Sequence, residues 1–274
     1  MANHTFKDQS LQQIGFYLLY TFSISWLSWF AIILGNRYLD LFAYGSPLFW
    51  IPYTLGSLGP AISSYLIFRQ FRETFAEKSF VQYIFGKIAR WQIWLIFALF
   101  LVWRFVMIWI SFGISRPISI LSLLLNLPFL IVLGGAEELG WRGILQPRAE
   151  KLISYIPSVL AVGTIWGVWH LPLWLMHGSI QSTFPFGLYF VSGIVLTSSL
   201  ITLYKYTQSL FLCVLSHAWF NGCINLALYR GNQGTLELDL NWKVMVVFAI
   251  ELVVAVILGS VYNRRKALPN PLSV

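Results

Sequence analysis

The stretch ISILSLLLNLPFLIVLGGAEELGWRG, residues 118–143, decides how this chain folds. It starts as an apolar run of about 20 residues, enough to cross a hydrocarbon core. It closes on two adjacent carboxylates, Glu137 and Glu138, and an arginine, Arg142. The run does not alternate polar and apolar positions, which favours a helix over a barrel strand. Helices and closed barrels are the structures that satisfy every backbone group in lipid.

Working outward, similar runs lie near 14–34, 48–68, 92–113, 155–176, 184–204, 207–228 and 242–262, giving eight with the one quoted. Of the 274 residues, 58% are hydrophobic and 10% charged, against roughly 25% charged in soluble domains. Aromatic residues, 18% of the chain, suit interfacial belts. The expectation is an all-α membrane protein with about eight transmembrane helices in a single domain, its loops too short for a soluble module. Within it, residues 1–117 would form the first three spans with a cytoplasmic connector. Residues 118–228 would form a core and 229–274 the last span with a basic tail. Gly56, Gly59 and Pro60 should kink or break the second run.

The formal net charge of +8 comes from basic residues scattered over loops, with no stripe of the kind nucleic acid needs, so no nucleic-acid partner is expected. Thirteen of the 18 Lys and Arg residues fall in segments that face one side. Four (Arg37, Arg116, Arg230 and Lys243) face the other, and Arg104 lies inside a run. This asymmetry predicts that both termini are inside. The connector RQFRETFAEKSFVQYIFGKIAR, residues 69–90, reads as an amphipathic segment on the membrane or as a solvated loop. Cys213 and Cys223 are ten residues apart in one predicted helix, ~15 Å and too far for a disulfide. The first run is long enough to span, so no cleavable signal is expected. Short loops and the lack of targeting signals favour a bacterial inner membrane over the endoplasmic reticulum.

Charges at such depth are costly and functional by default. If the helix continued through the quoted stretch, Glu138 and Arg142 would be i,i+4 neighbours ~6 Å apart, and Glu137 would point elsewhere without a local partner. Two carboxylates this close do not readily both ionise in low dielectric. Arg142 would hold Glu138 as the anion and leave Glu137 for proton transfer. Two histidines sit inside runs. His170 closes WGVWH, with Trp166 one turn earlier and Pro172 just beyond. His217 opens HAWFN, on one face with Asn221. Gly163 and Gly167 form a small-xxx-small pair that would let a helix approach closely. His177 follows a run and receives no role.

Together these groups could activate a water for attack on a carbonyl. Glu137 would take the proton and His170 orient the water. His217 and Asn221 would stabilise the oxyanion, or the histidines would ligate a metal. Arg104 and Glu251, the other charges inside runs, read as a structural ion pair, with Glu138 as an alternative partner for Arg104. No H-E-x-x-H and no G-x-S-x-G occurs.

EELGWR, WGVWH and HAWFN, in that order on successive runs, resemble the E-E-x-x-x-R, F-x-x-x-H and H-x-x-x-N motifs of the CPBP family (CAAX proteases and bacteriocin-processing enzymes), which are intramembrane endopeptidases. The resemblance covers about residues 118–228; Trp166 stands where the family often has Phe. It implies an eight-helix fold with a site toward the cytosolic side. It implies hydrolysis of a peptide bond in a membrane-associated or lipidated, CAAX-type peptide, with membrane lipid as surroundings. Glu137, His170, His217 and Asn221 would be the catalytic groups, supported by Glu138, Arg142 and Trp166. A divalent metal such as zinc, held by Glu137, His170 and His217, and a metal-free glutamate mechanism are both open. The alternatives are a non-catalytic immunity or scaffold protein that binds a peptide on the same fold, and a transporter with protonatable intramembrane groups.

Overall fold

The computed structural model describes residues 2–77, 79–86, 88–114, 120–230 and 236–267. Lys78, Lys87 and Arg116, counted in the charge asymmetry, and the expected boundary at 117–118 lie outside them. Without water to pair with, backbone groups in an apolar run close i→i−4 hydrogen bonds on themselves, and helix stands at all eight expected positions. The helices are α1 (Ala2–Leu39), α2 (Pro47–Ser57), α3 (Gly59–Gln70), α4 (Phe80–Phe85), α5 (Trp91–Phe112), α6 (Ile120–Leu133), α7 (Glu138–Gly140), α8 (Gln146–Leu152), α9 (Tyr155–Trp169), α10 (Phe186–Thr207), α11 (Leu210–Ala227) and α12 (Trp242–Ala267).

Among the described residues, six helices are long and apolar enough to cross a membrane: α1, α5, α9 with the 3₁₀ turn after it, α10, α11 and α12. α6 and the following Gly135–Leu152 segment, set at about 40° to each other, make a seventh. The expected second span is two helices that part at Leu58. Pro60 has no N–H to donate back into α2, and Gly56 and Gly59 hold a helix poorly. A two-residue ladder, Tyr229–Arg230 with Leu236–Glu237, is the strand structure among the described residues. The protein is an all-α, multi-pass membrane protein.

The helix does not run on through residues 134–143. α6 stops at Leu133, where two glycines follow. A 3₁₀ turn covers Gly135–Glu137, then come the single turn of α7 and a π turn at Trp141–Leu145. Departures of this kind recur at functional sites.

α10 lies between α9 and α12, and α11 packs on α5 and α6. The predicted close approach at Gly163 is met by α10: a Cβ there would stand 2.9 Å from Ile194 Cα. Four rings lock the centre. Trp141 meets Trp169 and Tyr17 edge-on at 5.6 Å each, and Trp29 lies 4.8 Å from Trp169. Within the connector, Tyr83 of α4 is buried against Phe68 and Phe75. Lys205 Nζ reaches Glu150 (2.5 Å) and Asn263 (3.0 Å), tying α10 to α8 and α12. Cys213 and Cys223 are both free.

Candidate active site

Glu137 is 4% exposed and ends the 3₁₀ turn after α6. The sequence suggested no local partner for it; two indoles supply one. Trp166 Nε1 donates to Oε2 at 2.9 Å, and Trp141 Nε1, four residues on, donates to the same oxygen at 3.3 Å. Both donors grip one oxygen, so Oε1 is the oxygen free to act. Trp166 is the position where the family pattern often has Phe, and a phenyl ring could not make this bond. Tyr189 of α10 stacks flat on Trp166, with centroids 5.4 Å apart.

Glu138 is fully buried and bonded at both oxygens. Arg142 Nε donates to Oε2 at 2.6 Å, and His217 Nδ1 lies 2.8 Å from Oε1. The predicted i,i+4 pair is present, and His217 joins it. Arg142 also donates to Thr197 Oγ1 (3.3 Å) and Thr197 O (3.5 Å) on α10. An arginine this deep is tolerated because its N–H groups find partners.

His170 caps the C-terminus of α9, just before Pro172 ends the regular helix. Its Nδ1 lies 2.8 Å from the Trp166 carbonyl. A carbonyl only accepts, so Nδ1 carries the proton and Nε2 has a free lone pair in the neutral ring. For His217, Nδ1–H is engaged by Glu138, so Nε2 is the nitrogen left over; it donates when the ring carries both protons.

Asn221, one turn beyond His217 on α11, makes no hydrogen bond among the described residues. Its amide lies against Gly134: a Cβ there would collide with Asn221 Nδ2. Gly134→Ala should therefore push the amide aside. Misplacement of about 1 Å costs a rate on the order of 10²-fold, so kcat should fall by about that much with little change in melting temperature. Comparing turnover with thermal unfolding checks this.

Glu137, His170, His217 and Asn221 all line one cavity of about 370 Å³, with Trp166, Trp169 and Tyr189 among its walls. These are the four groups that the sequence pattern brings together as candidates. It missed Trp141 and Tyr189; the i,i+4 spacing from Glu137 to Trp141 was the available signal for the first. The lining continues to Tyr44, Phe112, Phe184 and Leu238.

Glu137, His170 and His217 are the candidate metal ligands. Among the described residues no three His, Cys, Asp or Glu side chains stand together so as to hold an ion. The donors face a common space without forming a ligand set.

The fold and cavity thus define a membrane-embedded helical protein with a buried Glu/His/Asn site. A family model described as type II CAAX prenyl endopeptidase Rce1-like matches residues 118–223, the segment that carries all three motifs. A protein of Methanococcus maripaludis named CAAX prenyl protease 2 is 25% identical over 253 residues, 85% of this chain and 91% of its own length. Both support the CPBP/CAAX-protease family for this chain and, at that level, a protease.

Proposed function

We propose that the protein is an intramembrane endopeptidase that hydrolyses a peptide bond of a lipidated, CAAX-type peptide with water activated by Glu137. The observation that carries this is a buried carboxylate fixed through one oxygen by two indoles, facing two histidines and a free amide across one cavity. A water between Glu137 Oε1 and His170 Nε2 loses its proton to the carboxylate as its oxygen attacks the carbonyl carbon. Asn221 Nδ2–H and His217 Nε2–H receive the charge developing on the carbonyl oxygen. The C–N bond then breaks, and Glu137 returns the proton to the leaving amine. Proton balance is closed, and the carboxylate is regenerated.

The relative's name supplies the substrate class: CAAX proteins carry a prenylated cysteine three residues from the C-terminus. Burial suits this, because a lipid-bearing peptide reaches the cavity from the bilayer. The purified protein in detergent should cut an S-prenylated peptide on the C-terminal side of the modified cysteine. Mass spectrometry of the products reports the position of the cut. With a chelator present, unchanged cleavage is expected for a glutamate mechanism, and abolition reversed by added zinc would replace it with a metal one. Absence of any cleavage would leave the peptide-binding scaffold as the better account.

A further inference from the structure

Arg104 and Glu251 are charges inside spans that the hydrolytic steps leave unused. The sequence pattern read them as a structural pair, and they are paired: Arg104 Nη1 donates to Glu251 Oε1. Both also line the cavity that holds Glu137, which a purely structural pair has no need to do.

Arg104 is 2% exposed, and its Nε makes no hydrogen bond. Leaving a charged donor unmade in low dielectric is expensive. Glu251 occupies Nη1, and a carboxylate entering the cavity that Arg104 lines is the group suited to the remaining donors of the guanidinium. The guanidinium is also fixed in position. Its Cζ lies 4.7 Å over the ring of Phe220, the residue immediately before Asn221 on α11. Arg104 and Asn221 line the same cavity of about 370 Å³, so a peptide that reaches both the guanidinium and the amide assigned to the oxyanion has only a short segment between them.

We propose that Arg104 binds the terminal carboxylate of the segment that is cut off, so that the site selects peptide bonds a few residues from a free C-terminus. This rests on the endopeptidase reading and adds the group that measures distance to the chain end. Glu251 holds the guanidinium in place and competes with the incoming carboxylate.

The test uses one S-prenylated peptide in two forms, free acid and C-terminal amide. The wild type should favour the acid in kcat/KM by about 10–100-fold, the range set by losing charge-assisted hydrogen bonds. Glu251→Gln frees the guanidinium and should raise that ratio. The double variant Arg104→Met, Glu251→Met removes both charges together, a change buried pairs commonly survive; it should fold, cleave both peptides, and show a ratio near one. A ratio near one in the wild type, or one preserved in the double variant, overturns the proposal. If the wild type cuts neither form, the endopeptidase reading fails. Displacement of a fluorescent prenylated peptide from the solubilised protein then decides the carboxylate site by itself. Stronger displacement by the acid, lost in the double variant, sustains it, and equal displacement by acid and amide overturns it.

Discussion

Glu137→Gln is expected to lower kcat by about 10²–10⁴-fold, the usual contribution of a positioned proton acceptor, while leaving the melting temperature nearly unchanged. The reason lies in how the carboxylate is held. Trp166 and Trp141 donate to Oε2 alone. The glutamine carbonyl can take that position and keep both bonds, with its NH₂ turned to the cavity. The side chain then has the same shape and anchoring but no basic oxygen where the water sits. KM should move little, since glutamine keeps the size and anchoring of the side chain that lines the cavity and leaves Asn221 in place. Progress curves at saturating peptide, with thermal unfolding of the same sample, separate the two effects. Full activity in the glutamine variant would remove Glu137 from the chemistry. A collapse in stability with it would mean that the carboxylate serves the fold. Trp166→Phe is the milder companion: it keeps the ring and the Tyr189 stack but removes the stronger of the two donors.

Much of this site could be read from the sequence because its groups are linked by helical spacing. Glu138 and Arg142 are one turn apart, and so are His217 and Asn221, so local geometry brings each pair together whatever the tertiary fold does. The membrane class was legible for a similar reason: apolar runs of spanning length force helices. Tertiary facts were not legible. That His217 completes the Glu138 pair depends on where α11 packs, and that Tyr189 backs Trp166 depends on the α9–α10 contact; neither has a local signature. The bend at Gly134 was hidden differently. The i,i+4 spacing of Glu138 and Arg142 survives the passage from α7 into the π turn, so the pair was foreseen although the straight helix assumed for it does not exist. Arg104 and Glu251 were correctly paired from their charge and depth, but pairing says nothing about which cavity they face.

Arg142→Met should destabilise the protein by about 3–5 kcal/mol, the cost of stripping one partner from a buried ion pair. Glu138 is 0% exposed and Arg142 1%, so no water replaces the lost guanidinium, and the bonds to Thr197 go with it. The remaining carboxylate would keep only its bond to His217. Adding Glu138→Leu to that variant removes the orphaned charge, and stability should largely return, since apolar replacements of a whole buried pair are often neutral. Activity should not return. His217 Nδ1 sits 2.8 Å from Glu138 Oε1, and that bond fixes both the ring's orientation and the nitrogen presented to the cavity. Without it the imidazole is free to turn, and kcat should stay down by about 10²-fold, the scale of a misplaced reacting group. Unfolding midpoints and turnover measured across the single and double variants give the answer. Stability and kcat recovering together in the double variant would show that the pair only fills space. Stability recovering alone would show that the costly charges of α7 and the π turn after it are kept because they position a catalytic histidine.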